Sequence, residues 1–314
     1  MKSRVMGITG ANTEMAKISA IFWHYEGPTW LVGIAIYVGW FALILNHAVL
    51  PWPVIVVAGS ILVAWHSSLV HESVHNINTA PRWMKMILVL PPVSVWYPYT
   101  YYARAHTIHH RENHLTDPER DPESFYFTET RWQRMSPLLR SVFMFNQTFA
   151  GRMTVGPLIA IVHLVSDLGK KLAQGDQRTI RGLILHGVSL AVLFWFVVGV
   201  AGMNWWMYIA CIAYPGLALS LVRSFCEHGA ARDPDHRTAI VESGMFFNLL
   251  FLYNNLHVVH HLDPKMRWYD IPRYYREHRE ELLQRNGGFF FGGYGEMIRK
   301  TLFKPAFSPI YPGT

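Results

Sequence analysis

The sequence predicts an all-α integral membrane protein in which four transmembrane helices form two hairpins beneath a cytoplasmic helical cap. Three observations predict it. Charged residues are only 16% of the 314-residue chain, against about 25% in an ordinary soluble domain. The deficit is concentrated, because residues 27–70 and 182–222 contain no Asp, Glu, Lys or Arg. The 28 Lys and Arg all fall outside those windows. One bilayer crossing takes about 20 residues, so each window fits two helices and a tight turn. Long core helices of a soluble protein are the alternative set aside.

Residues 1–26 are mixed and polar and end in Ile21-Phe22-Trp23-His24-Tyr25, an interfacial lead-in. The first apolar stretch begins near Thr29, too long and too late for a cleaved signal peptide. A first crossing is expected over Trp30–Leu50, turning at Asn46-His47-Ala48-Val49-Leu50-Pro51-Trp52-Pro53. A second is expected over Val54–Val70, running without a breaker into His71 and His75. Residues 84–102 are apolar but carry Pro91, Pro92 and Pro98, and read as a broken excursion at the membrane surface. Non-helical backbone at that depth has to be buried in protein or line a cavity. Trp96, Tyr97, Tyr99, Tyr101 and Tyr102 read first as an interfacial aromatic belt, with a substrate-lining role as the alternative. Asp117-Pro118-Glu119-Arg120-Asp121-Pro122 should end the helix before it. Residues 131–181 hold amphipathic surface pieces. Crossings three and four fill residues 182–222, turn at Gly202-Met203-Asn204-Trp205-Trp206, and exit at Arg223-Ser224-Phe225-Cys226-Glu227-His228. The expected organisation is one domain, 1–314, with hairpins at about 28–70 and 182–223 and cytoplasmic segments 71–181 and 224–314.

Sidedness follows from the basic residues: 3 precede residue 27, 13 lie in 71–181 and 12 lie from Arg223 onward. By the positive-inside rule both termini and the middle segment face the cytoplasm, which places a multi-pass protein in the inner membrane with its polar end inward. The net charge of +7 also suits an acidic partner or anionic lipid. No basic run or binding motif points to nucleic acid. Cys211 and Cys226 make no disulfide framework and are too few for an iron–sulfur cluster.

The chain has 17 histidines, and eight fall in three clusters: His71 and His75; His106, His109 and His110; His257, His260 and His261. Helix positions i, i+3 and i+4 share a face, so each cluster can aim its imidazoles at one place. His71-Glu72-Ser73-Val74-His75 is also the zinc-protease spacing, with Glu72 as general base. A mononuclear catalytic zinc site takes three protein ligands, which would leave most of the other clustered histidines unused. Eight are too many for one metal and fit two. His228, at the exit of the fourth crossing, is a ninth candidate. His114 would be a tenth only if its helix persisted past Asp117-Pro118. His66, His47, His163 and His186 read as ordinary polar spots in apolar helices, and His24, His236 and His278 as surface residues. All-nitrogen sites suit zinc, copper or iron, and spacing alone does not choose among them. Glu72, Asp117, Asp121, Glu227, Asp263 and Asp270 are candidate acceptors for the outward ring N–H groups, each with a cap or solvated charge as its alternative. Ligating imidazoles must be deprotonated, so metal and activity should be lost below roughly pH 6.

His71–His75, His106–His110 and Asn255-Leu256-His257-Val258-Val259-His260-His261, together with two membrane hairpins, resemble the membrane fatty acid desaturase superfamily over roughly residues 30–285. Glu227-His228 resembles the additional ligand found late in those proteins. Asn254 to His261, followed by Trp268-Tyr269 and Pro272, is similar to bacterial acyl-lipid desaturases and their relatives. The resemblance implies a non-haem centre of two Fe ions at the cytoplasmic face, held by His71, His75, His106, His109, His110, His228, His257, His260 and His261. It implies dioxygen as co-substrate and two electrons to break an unactivated C–H bond. A second abstraction gives a double bond, and oxygen rebound gives an alcohol. With no fused haem domain or iron–sulfur motif, the electrons should come from an external ferredoxin-like or haem protein and its reductase; the basic face would suit an acidic carrier. Asn254, Asn255 and Ser224 are candidates for a polar residue that in some relatives reaches a metal through water. The expected function is oxidation of a membrane lipid or other apolar substrate, first of all fatty-acyl desaturation. A hydroxylase or ketolase acting on a lipid, carotenoid or small apolar molecule is the alternative, followed by an intramembrane zinc protease and a metal transporter.

Overall fold

Residues 16–111 and 114–312 are described by the computed structural model. Residues 16–24 are helical, and the remainder of the expected lead-in, residues 1–15, lies outside the described residues. Thirteen longer or functional helices follow: α1 Gly27–Leu45, α2 Trp52–His75, α3 Arg82–Val89, α4 Tyr99–Arg111, α5 Pro137–Asn146, α6 Phe149–Thr154, α7 Gly156–Ala173, α8 Gln177–Val200, α9 Trp205–Glu227, α10 Met245–Leu250, α11 His257–Leu262, α12 Ile271–Arg285 and α13 Tyr294–Thr301. Among the described residues α1, α2, α8 and α9 are long and apolar enough to cross a membrane. They pair in sequence as two hairpins. Proline sits in the first turn of α1 and α2, where its missing N–H has no helical partner to lose.

The crossings outrun the charge-free windows. α2 continues to His75 and stops where Asn76 turns extended. α9 continues to Glu227 and stops where His228 turns extended. α9 takes up Pro215 through a π-helical stretch, Ile209–Ala213, and beyond it runs on to Glu227, so each helix carries its histidine segment out of the apolar zone. The partner helix of each hairpin faces outward: Ile34, Val38, Phe41 and Leu45 on α1, and Ile184, Val188, Val192 and Trp195 on α8, are exposed apolar side chains in register along one face. Such a surface suits lipid, and is far more than a soluble monomer leaves bare.

α2 and α9 meet through small residues. A methyl group on Gly216 would lie 2.4 Å from Val63 Cβ, and one on Gly59 would lie 2.8 Å from Ile212. Close approach through glycine is how helices pack where both neighbours are apolar and burial alone discriminates little.

The proline-broken segment between α3 and α4 is held inside the bundle. Val93 and Val95 are buried. Tyr208 donates to the Val93 carbonyl at 2.7 Å and accepts from Trp40 Nε1 at 3.0 Å, tying α1, α9 and the segment together. His186 Nε2 reaches the Val95 carbonyl at 3.0 Å, and Trp96 Nε1 donates to the Ala213 carbonyl at 3.2 Å. The Val93 and Val95 carbonyls thus find donors, as the absence of water requires. A feature with no sequence signal is a two-residue parallel pair, Ile240–Val241 with Phe290–Phe291. It ties the tail to the polar end of the bundle.

Gly216→Val should lower the thermal unfolding midpoint in detergent, since overpacking a tight contact is worth about 1–3 kcal/mol. Gly187→Val, at a glycine with nothing within 4 Å, should leave it nearly unchanged. Equal shifts would contradict the close α2–α9 contact.

Candidate metal centre

Four segments converge at the polar end of the bundle. α2 brings His71 and His75, one turn apart. α4 brings His106, His109 and His110, and α11 brings His257, His260 and His261. His228 lies just past α9, held in extended conformation against Thr238. The approach to α11 passes through Leu252 and Tyr253, both left-handed with φ of 46° and 55°. That conformation is unfavourable for residues with a Cβ and persists only where the surroundings impose it. Here Leu252 is buried and Tyr253 N–H is fixed to the Asn248 carbonyl at 2.8 Å.

All nine expected histidines come together, in two groups. His71, His75, His106, His110 and His260 form one; His109, His228, His257 and His261 form the other. Within each group the potential ligand atoms lie within 4.8 Å of one another. The split explains the repeated spacing. α4 gives the first group its i, i+4 pair, His106 and His110, and gives the second group His109. α11 does the reverse, with His257 and His261 in the second group and His260 in the first. His114 joins neither: α4 ends at Arg111, and His114 Nε2 lies 2.6 Å from Arg120.

The outward ring nitrogens fix the inward ones. His106 Nδ1 donates to Glu123 at 3.1 Å and His109 Nδ1 to Asp121 at 2.9 Å. His228 Nδ1 donates to the Arg237 carbonyl at 3.3 Å, and His257 Nδ1 to Asn254 Oδ1 at 3.2 Å. A neutral imidazole has one N–H, so the Nε2 atoms of His106, His228 and His257 are bare lone pairs. Yet His228 Nε2 lies 2.9 Å from His257 Nε2 and 3.1 Å from His109 Nε2. In the first group His110 Nε2 lies 3.2 Å from His106 Nε2 and 2.9 Å from His260 Nε2. The buried Nε2 of His75 has no hydrogen-bond partner among the described residues. Ligands at about 2.1 Å from one ion and at right angles to each other lie about 3.0 Å apart. The donor set therefore fits a metal ion in each group.

The electrostatics point the same way. Burial, reinforced by neighbouring imidazoles, pushes His228, His257, His260 and His261 well below the ordinary imidazole range. Burial also lowers His106, against the pull of Glu123. His109 is the exception: burial lowers it, but Glu123 and Asp121 outweigh that and hold it up at about 9. Burial would raise the Glu123 carboxyl, but His106 and His109 hold it well below the usual carboxylate range. Two carboxylates behind the imidazoles are the arrangement that orients metal-binding rings and raises their basicity.

Of the six expected acidic partners, Asp121 and Glu227 reach the site. Glu227 Oε1 lies 3.5 Å from His257 Nδ1, accepts from Asn254 Nδ2 at 2.9 Å and pairs with Arg223 at 3.3 Å. Asp117 and Asp263 cap their own turns, and Asp270 precedes α12. Glu72 belongs to neither histidine group; it accepts from Asn76 at 2.8 Å and from Trp268 N–H at 3.2 Å. A general base in that position would have to face the metal. Glu123, which the sequence reading missed, is held by its own N–H bonded to Asp121 Oδ1 at 2.9 Å. The signal was present in the Asp-Pro-Glu turn that folds the chain back on α4. Asn254 stands between the groups, with Nδ2 3.4 Å from His71 Nε2, whereas Asn255 bonds the Val241 carbonyl and Ser224 the Leu221 carbonyl.

A cavity of about 230 Å³ opens beside both groups, touching His106, His109, His228 and His257. Its far walls include Leu164, Leu185 and Leu217. Tyr97, Tyr99, Tyr101 and Tyr102 line it, which corrects the aromatic-belt reading: the proline break turns this segment inward. Tyr102 stacks on His106, with ring centroids 5.5 Å apart.

Residues 46–293, more than three-quarters of the chain, match the family model described as Fatty acid desaturase. Neither a comparison with curated proteins nor one with solved structures gives a match.

Protein purified without a nickel column should carry one metal ion per histidine group. His228→Ala, which reduces the smaller group to three ligands, should lower the metal content by about half, measured by elemental mass spectrometry. An unchanged content would sink the assignment of His228. Because burial lowers most of these imidazoles, protons compete for them only at lower pH, so metal release on acidification should centre below about pH 6. Release half complete at pH 7 would contradict it.

Proposed function

The chain belongs to the fatty acid desaturase family, and from that premise we propose that it oxidises unactivated C–H bonds of a lipid at a di-iron centre, using dioxygen and two electrons. Desaturation of an acyl chain is the reading the site supports best. The observation that carries it is the pair of histidine groups sharing one apolar cavity. The ligands are His71, His75, His106, His110 and His260 for one iron, and His109, His228, His257 and His261 for the other.

When bound, the irons supply dioxygen activation and the oxidising equivalents for C–H cleavage. The chain does the rest. The leucines and tyrosines of the cavity hold an extended apolar chain against both histidine groups, which restricts which carbon meets the centre. Burial of His71, His106, His109, His257 and His260 keeps bulk water from the reacting atoms. Asp121, Glu123 and Asn254 aim each Nε2 inward by accepting the outer N–H of His109, His106 and His257. By the positive-inside rule, the charge distribution supports an orientation with the metal end toward the cytoplasm. Electrons arrive there from an external ferredoxin-like or haem carrier. The exposed side chains of Arg111 and Lys265, next to two of the ligating segments, suit an acidic one.

The test is mass spectrometry of lipids incubated with iron-loaded protein, a reductant system and dioxygen. Loss of two hydrogens per chain identifies a desaturase, and gain of one oxygen identifies a hydroxylase of the same family. His260→Ala should abolish turnover and Glu72→Gln should retain it. The opposite pattern, or dioxygen-independent proteolysis, would replace this reading with a zinc protease.

A further inference from the structure

Arg152, on the short helix α6, lines the cavity with only 4% of its surface exposed. No carboxylate pairs with it among the described residues. The three carboxylates on the cavity wall are committed elsewhere: Asp121 to His109, Glu123 to His106, and Glu227 to Arg223 and Asn254. Arg152 Nε is buried without a hydrogen-bond partner. Its guanidinium carbon lies 5.0 Å from the Phe125 ring and 5.3 Å from the Phe225 ring. Aromatic faces attract a cation, but they leave the five N–H donors of the fork unused. Burial lowers the guanidinium to about 10, so it stays charged at neutral pH. A second unpartnered group lies beside it. Asn146 Oδ1 is buried without a partner, and it and Arg152 Cδ both come within 3.2 Å of where a Gly156 methyl would sit.

A buried, unpaired cation is among the least favourable groups a protein can hold. A planar fork of donors beside a cavity is matched by an oxyanion, which it can grip through two parallel hydrogen bonds. The cavity that Arg152 enters is the one that reaches His109, His228 and His257 and has leucine walls.

We propose that Arg152 binds the anionic end of the substrate, so that the lipid processed here carries a carboxylate or a phosphate at the end of its chain. This rests on the reading of the cavity as the lipid site. Phe125 and Phe225 hold the guanidinium in place and leave its N–H groups for the ligand.

The test is equilibrium binding of radiolabelled palmitate to the full-length protein in detergent, with competition by hexadecyl phosphate, hexadecanol and inorganic phosphate. Palmitate and hexadecyl phosphate should compete at least about tenfold better than hexadecanol. Arg152→Gln should erase that preference while leaving hexadecanol binding intact, which also shows that the variant folds. Arg152→Lys should keep part of it. Hexadecanol competing as well as palmitate on the unaltered protein would overturn the proposal, whatever the variants do. Retention of the preference by Arg152→Gln would overturn it as well. Displacement by inorganic phosphate as effective as by hexadecyl phosphate would do so too, by making the site one for a free anion. No turnover or reductant enters the assay. Its failure leaves the oxidation chemistry standing, and a protein that oxidises nothing can still show the preference.

Discussion

The structure depends on a repulsion that only a cation relieves. His228 and His257 each commit their outer N–H to an oxygen, so their inner lone pairs face one another at 2.9 Å. Burial keeps both rings neutral. His109 joins the same point at 3.1 Å. Protein interiors do not hold two such lone pairs together without something electropositive between them. An ion bound there would be an organising charge that four separate segments of chain are shaped to meet, and its binding energy would be part of the folding energy of the polar end.

The remaining architecture serves that meeting point. Two helices, α2 and α9, emerge from the apolar zone side by side because glycines let them touch. That contact fixes the distance between His71 and His228 before the cap is added. The proline-broken segment could not lie at this depth with open carbonyls. Tyr208 and His186 bond those of Val93 and Val95, Trp96 anchors the segment to the Ala213 carbonyl of α9, and together they bring α4 to its place. The left-handed turn at Leu252 and Tyr253 then delivers α11. A strained turn next to the site is where local backbone preference yields to the demand of the centre.

Much of this was legible in the sequence, for identifiable reasons. The four crossings follow from windows with no charge, a signal that no tertiary contact can override. The nine histidines follow from helical spacing. What spacing could not give was the partition. His109 and His110 are neighbours in sequence but go to different groups, and only the relative rotation of α4 and α11 decides which. Glu123 was missed because its approach to His106 depends on the turn geometry set by Asp121, a side-chain-to-backbone bond with no periodicity to read. The aromatic cluster was misread because the same residues suit a membrane interface and a cavity wall. The difference lies in which way a proline break turns the chain. The short pairing of Ile240–Val241 with Phe290–Phe291 involves strands too brief for any alternation to register.

The partition also bears on why one cavity should border both groups. His106 belongs to one group and His109, His228 and His257 to the other, and all four line the same cavity. α4 runs between them, and its i, i+3, i+4 triplet straddles the division. A rotation of α4 that favoured one group would withdraw a ring from the other, so the geometry of the two sites is set together. The same helix begins with Tyr99, Tyr101 and Tyr102 on the cavity wall. Ligand geometry and cavity shape are therefore set by one rigid element, and a substrate that shifts α4 disturbs both groups at once.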